Sequence, residues 1–260
     1  MKTLTFLFLL MNLFLSSACV KVYLESTTSE DMRDSGNRTD KWINQDQLDS
    51  FDPFKTPQGL TTGANCPAKG MGAEALAQDT DVWCWAASAQ TVMRFHGRNT
   101  LKQCEVVNNI LGNGVTSSGG MTTPFCCGDG VFFPAQCWIN GWPEWALESQ
   151  NFNYSLVSGA LKPDKLATEL CNNGPIIFIL KYRNSRGGHT LVVKDYVVDQ
   201  ARKKLSLWVY DHSWIDEVVN GKNQRIPLEY ELWTYEKFAK AIWNGKQHIH
   251  DSDVVQIRPR

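Results

Sequence analysis

The distribution of apolar runs constrains this chain more than any other feature. Residues 175–182, 190–198 and 205–210 are dense in Ile, Val, Leu and aromatics and are separated by turn-type residues, the pattern of consecutive strands. Upstream the signals are helical. Thr80 or Asp81 can cap a helix over 82–96 that Gly97 ends, and a second covers 101–111 and stops at Gly112. Shorter helices are predicted over 143–150 and 163–171, and 234–243 returns to helix after the strands. Residues 112–134 read as a Gly/Ser/Thr-rich loop. Helices first and strands later predict an α+β domain with segregated halves rather than alternating βαβ units.

The N-terminal region reads differently. Lys2, an apolar run from Leu4 to Leu15 and the small residues Ser16-Ser17-Ala18 make residues 1–18 a signal peptide. About twelve apolar positions are too few for a permanent span, which needs roughly 20. Cys19 follows at once, where bacterial lipoproteins carry their lipidated cysteine, although Ser16 stands where an aliphatic residue is usual. The expected product is exported, either anchored in an outer or cell-surface membrane through Cys19 or secreted into the periplasm or medium. Residues 19–65 are rich in Ser, Thr, Asp, Asn and Gln and are expected to be a flexible tether. The rival is an inhibitory propeptide anchored by Trp42, Phe51 and Phe54.

Eight cysteines are present. With Cys19 lipidated and Cys84 kept as a thiol, six remain, enough for three disulfides in an oxidising compartment, with their pairing open. A zinc site among Cys126, Cys127 and Cys137 is disfavoured because adjacent cysteines lack the two-residue gap of a chelating knuckle, so no metal is expected. The formal net charge is −1, and no Lys/Arg block is present, so nothing points to nucleic acid and no nucleic-acid partner is expected.

The chemistry concentrates in three places. Gln78-Asp-Thr-Asp-Val-Trp-Cys84-Trp85-Ala-Ala-Ser88 sets a cysteine at the mouth of an Ala-rich helix, six residues after a glutamine. There the sulfur meets unsatisfied N–H groups and the positive end of the helix dipole, which favour thiolate. The Gln78 amide, with the backbone N–H of Cys84, is suited to hold a developing oxyanion, worth about 3–4 kcal/mol per donor. Gly187-Gly188-His189 opens the second strand, and the third ends in Asp211. A hairpin centred on residue 200 or 201 would set 189 and 211 almost opposite each other, with Cβ atoms about 4.5–5.5 Å apart. Asp195 is disfavoured as the orienting acid, lying about 20 Å further along the strand. His96 is read as a helix C-terminal cap. His212 is assigned to the opposite sheet face from Asp211, and His248 and His250 to a polar tail.

Gln78, Cys84, Trp85 and Ala86, with Gly188-His189 before an aliphatic strand and Asp211 ending the next, resemble the papain-like cysteine peptidases. The Gly-Gly-His-x-x-Val-Val form is most similar to bacterial papain-fold peptidases, including secreted effectors and leader-processing domains. The resemblance implies a helical lobe carrying the cysteine and an antiparallel β-sheet lobe carrying the histidine and acid, spanning a catalytic domain over 66–260. It implies Cys84, His189 and Asp211 as catalytic residues, Gln78 as oxyanion donor, and Trp85, Gly188 and Trp214 as cleft residues. Two departures stand out: aspartate replaces papain's asparagine at 211, and Trp214 lies one residue further along than its counterpart, which leaves its shielding role open.

The function expected is peptide-bond hydrolysis by a monomer acting on protein or peptide substrates without a cofactor. The nearest alternative is a transglutaminase-like acyltransferase using the same triad, separated by its product chemistry. A non-catalytic surface-binding lipoprotein on a decayed peptidase fold is the third reading, and the intact set Gln78, Cys84, His189 and Asp211 argues against it.

Overall fold

The computed structural model describes residues 39–50, 52–54, 76–111, 126–128, 137–183, 185, 187–199, 201–219, 222–228 and 230–260. Five α-helices occur among them: α1 (Cys84–Phe95), α2 (Gln103–Leu111), α3 (Pro143–Ser149), α4 (Pro163–Asn172) and α5 (Tyr235–Ala239). The strands are β1 (Phe152–Ser158), β2 (Ile176–Lys181), β3 (Gly188–Asp199), β4 (Lys204–Asp211), β5 (Trp214–Val219), β6 (Lys222–Pro227), β7 (Glu231–Thr234), β8 (Ile242–Trp243), β9 (Lys246–Gln247) and β10 (Ile249–Pro259). Six of them form one antiparallel sheet in the order β1-β10-β2-β3-β4-β7. β5 with β6 and β8 with β9 form separate hairpins. The expected α+β fold is present, with Cys84 on the helical part and His189 and Asp211 on the sheet.

The sheet is buried on both faces. Ile177, Ile179, Val192 and Val254 pack with the side chains of α1, α2 and α3, including Trp85, Val92, Val107 and Leu147. Ile176, Phe178, Leu180, Leu191, Val193 and Val255 face the other way, against Leu166 and Leu170 of α4 and Phe238 of α5. Double-sided burial is why residues 176–180 read as an unbroken apolar run instead of alternating.

The C-terminal segment corrects the sequence reading. The presumed polar tail is β10, which lies between β1 and β2 within the sheet. Its polar residues are buried but paired: His250 Nε2 meets Asp253 Oδ1 at 2.8 Å, and Asp253 Oδ2 accepts the Leu161 N–H at 2.8 Å. His250 Nδ1 lies 3.1 Å from the Phe238 carbonyl. Such internal pairing is what lets a polar run occupy a core. The helix expected over 234–243 is also shorter. It ends at Ala239, and positive φ at Ala241, Asn244 and Gly245 turns the chain into the β8–β9 hairpin.

Residues ahead of 66, where the sequence placed the start of the domain, also join the fold. Trp42 bridges in parallel to Leu156 of the edge strand β1, and the Ile43 N–H donates to the Leu156 carbonyl at 2.9 Å. Leu48 is buried in the second core, and its carbonyl accepts from Lys165 of α4. This stretch of the presumed tether lies along the sheet edge, while Phe51 and most of residues 19–65 lie outside the described residues. Two disulfides, Cys104–Cys127 and Cys126–Cys137, fasten the helical half.

Candidate active site

Helix α1 begins at Cys84, two residues later than expected, with Trp83 as its N-cap in place of Thr80 or Asp81. The Thr80 hydroxyl instead accepts the Val82 N–H, closing the turn that leads into the helix. Trp83 and Trp85 flank the cysteine and fix it to one segment: their indole N–H groups donate to the Cys137 carbonyl at 2.8 Å and the Ile139 carbonyl at 3.3 Å. Trp85 also lies on Gly141, where any Cβ would come within 2.5 Å of its ring. It is therefore a buried anchor beneath Cys84, contrary to its expected place in the cleft wall. Cys84 itself is buried and is not in a disulfide.

The sheet supplies the other two groups. Gly188 is required by packing: a Cβ there would sit 2.2 Å from the Leu180 carbonyl, so only glycine lets β3 start this close to β2. His189 follows, opposite Leu180. Across β4 the register differs from the expected one. Asp211 pairs with Leu191, and Asp199 with Lys204, with a bulge between Val193 and Asp195. His189 and Asp211 are thus diagonal neighbours on one face, and their side chains still meet, Nε2 to Oδ1, at 2.8 Å. Asp195 accepts the Tyr196 N–H beside the bulge, well along the strand from His189.

The helix and sheet are tied together beside these groups. Ser88, one turn after Cys84, hydrogen-bonds Thr190, the residue after His189, at 2.9 Å in a buried contact. His189 lies against the Cys84 thiol as well as Asp211. Nε2 faces the carboxylate, so Nδ1 is the nitrogen left for sulfur. Burial alone would push the imidazole pKa down, but the Asp211 charge and hydrogen bond, with the Cys84 contact, raise it to about 10. Burial would likewise raise Asp211. The His189 cation and hydrogen bond, joined by donors from the Ser213 backbone and Trp243, hold it below the usual carboxylate range.

The sequence did not single out Trp243. Its ring stacks on the His189 imidazole at 4.5 Å between centroids and 28° between planes, and its Nε1–H donates to Asp211 Oδ2 at 2.7 Å. It covers the pair, the role left open for Trp214, which is instead buried at the start of β5. The β8–β9 turn delivers it, and Asn244-Gly245 is the sequence signal that could have announced that turn. A cavity of about 390 Å³ lies alongside, lined by residues including Asp211, Trp233, Lys237 and Trp243 but neither Cys84 nor Gln78.

Gln78 is buried, and its backbone N–H donates to the His212 carbonyl at 2.8 Å. His212 is fully buried, and its Nδ1 lies 2.8 Å from the Leu76 carbonyl. Burial lowers its pKa to about 4, so it is neutral at pH 7 and donates through Nδ1. Among the described residues no group of three or more His, Cys, Asp or Glu is placed to hold a metal. Cys19 and residues 1–18 lie outside the described residues. The arrangement can perform thiol acyl transfer: a sulfur at a helix start, an imidazolium beside it, and an acid fixing the imidazole.

No family model matches this chain, and no curated protein matches it. Solved structures do resemble it. One, from work on antibody cross-reactivity between the mite allergens Blo t 1 and Der p 1, is 10% identical, with a TM-score of 0.44, over 91% of this chain and 84% of that one. Another, the digestive procathepsin L 3 of Tenebrio molitor larval midgut, is 11% identical, with a TM-score of 0.39, over 90% and 82%. At such identities and scores these likenesses say nothing about chemistry, which rests on this chain's own residues.

Proposed function

We propose that this chain is an exported, papain-like cysteine peptidase. The observation that carries the reading is His189 lying against both the Cys84 thiol and the Asp211 carboxylate, with Trp243 covering the pair. Cys84 attacks the substrate carbonyl as thiolate, and the Gln78 amide and a backbone N–H at the start of α1 stabilise the oxyanion. His189 protonates the leaving amine and then takes a proton from the water that releases the acyl group. Asp211 holds the imidazole in the tautomer that presents Nδ1 to sulfur. The Cys104–Cys127 and Cys126–Cys137 disulfides support an oxidising compartment. Lipidation at Cys19 would then hold the enzyme at a membrane surface.

The test is mass spectrometry of a proteome-derived peptide mixture incubated with the purified protein, with Cys84→Ala as control. New peptide termini that vanish in the variant are expected, while its thermal melt stays within a few degrees of wild type. Amine-capped or cross-linked peptides would transfer the assignment to an acyltransferase. Identical spectra from both proteins would contradict catalysis.

A further inference from the structure

Gln103 opens α2 and has no part in the chemistry described above. It is nonetheless buried, and both ends of its amide are engaged: Oε1 accepts the Asp79 N–H at 2.8 Å, and Nε2 donates to the Ala77 carbonyl at 2.8 Å. Those two backbone groups lie on either side of Gln78. One side chain thus spans the presumed oxyanion donor and grips the peptide units before and after it. From the other direction, the Gln78 N–H is held by the His212 carbonyl, next to Asp211, and the Leu76 carbonyl by the His212 ring.

We infer that Gln103 is a positioning residue for the oxyanion site, fixing the backbone that aims the Gln78 amide; the inference rests on the peptidase reading above. Four hydrogen bonds around one residue remove the backbone freedom that a short connecting segment would otherwise keep. An oxyanion donor needs that restriction, because it stabilises a transient charge only if its N–H already points at where the charge develops. The clamp also joins three parts of the site. Gln103 sits beside the Cys104–Cys127 disulfide, which anchors α2, and His212 adjoins the acid that orients His189. The oxyanion donor is thereby referenced to the triad from two independent elements. The Gln103 amide bonds to the backbone of residues 77 and 79, so its loss should leave the thiolate intact.

Two reactions of Cys84 separate this role from a merely structural one. Alkylation by iodoacetamide needs the thiolate but no oxyanion donor. Acylation by p-nitrophenyl acetate needs both. Both rates are read by intact mass in wild type, Gln103→Met, Gln103→Glu, Gln78→Ala and the Gln78→Ala/Gln103→Met double variant. Gln103→Met is expected to alkylate within about twofold of wild type but to acylate about 10- to 100-fold more slowly. Gln103→Glu keeps the acceptor for Asp79 and loses the donor to Ala77, so it should fall between the two. In the Gln78→Ala background, Gln103→Met should cost nothing further. Unchanged acylation, an equal loss of alkylation, or additive losses in the double variant would each overturn the positioning role. A wild-type Cys84 that alkylates rapidly but does not acylate would instead overturn the acyl-transfer reading itself, and this role with it.

Discussion

Asp211 accepts three donors at once: His189 and the Ser213 N–H at Oδ1, and the Trp243 indole at Oδ2. An asparagine can keep Oδ1 toward His189, but its NH2 then faces the indole N–H, donor against donor. An unpaired buried donor costs about 1–3 kcal/mol, so Asp211→Asn should lower kcat/KM by about 10- to 100-fold, less than Cys84→Ala. Replacing the indole relieves the conflict. Trp243→Phe in the Asp211→Asn background should therefore recover part of the loss, although it lowers activity in the wild type. Steady-state kinetics of the four proteins checks this, and additive losses would contradict it. The components of this site were legible in the sequence because cysteine at a helix start, Gly-Gly-His and a strand-terminal acid are local signals. Trp243 and Gln103 were not. Each acts through a contact far away in the chain, and a tryptophan in a presumed helix or a glutamine at a helix start carries no local mark of it.

Among the elements, α1 and β2 to β4 followed from periodicity, within two residues at their ends. The missed ones have separate causes. β10 reads as polar because its buried His250 and Asp253 satisfy each other, and composition alone cannot distinguish paired burial from exposure. The two small hairpins were missed although the sequence carries Asn220-Gly221 and Asn244-Gly245 there, a pair suited to the positive φ of tight hairpin turns. The register difference at β3–β4 comes from the turn, which pairs Asp199 with Lys204 and so centres further along the chain than expected; the bulge moves Asp211 one residue back toward His189. The segment over 39–54 carries a prediction at this scale. It covers the edge of β1, and burying Leu48 alone is worth about 1.5–3 kcal/mol. A chain beginning at residue 55 should melt roughly 5–10 °C lower by calorimetry. Its Cys84 alkylation rate should be unchanged, because β1 is separated from β3 by β10 and β2. An unaltered melt would restore the free-tether reading, and a gain in peptidase activity would favour the propeptide.

For the whole molecule, the helical half and the sheet meet where Ser88 joins Thr190, and the His189–Asp211 pair lies beside that junction. The pair links protonation to stability. His189 is raised from 6.5 to about 10, so its contribution is complete below pH 6.5 and is lost as pH rises through about 10. Asp211 is lowered from 3.8, so its contribution is present above that pH and lost below it. The stability difference between wild type and Asp211→Asn, from denaturant unfolding, should be greatest between pH 3.8 and 6.5 and shrink toward pH 10. A difference that grows with pH in that range would contradict the assignment. The central claim is that Cys84 and His189 rest as thiolate and imidazolium, held by Asp211. The rate of Cys84 alkylation by iodoacetamide against pH tests it most directly. The account predicts rapid alkylation at about pH 6, where an ordinary thiol with a pKa near 8.5 is almost silent, and a sharp loss of that reactivity in His189→Ala. A rate that rises only through the ordinary thiol range, unchanged by the histidine substitution, would contradict it.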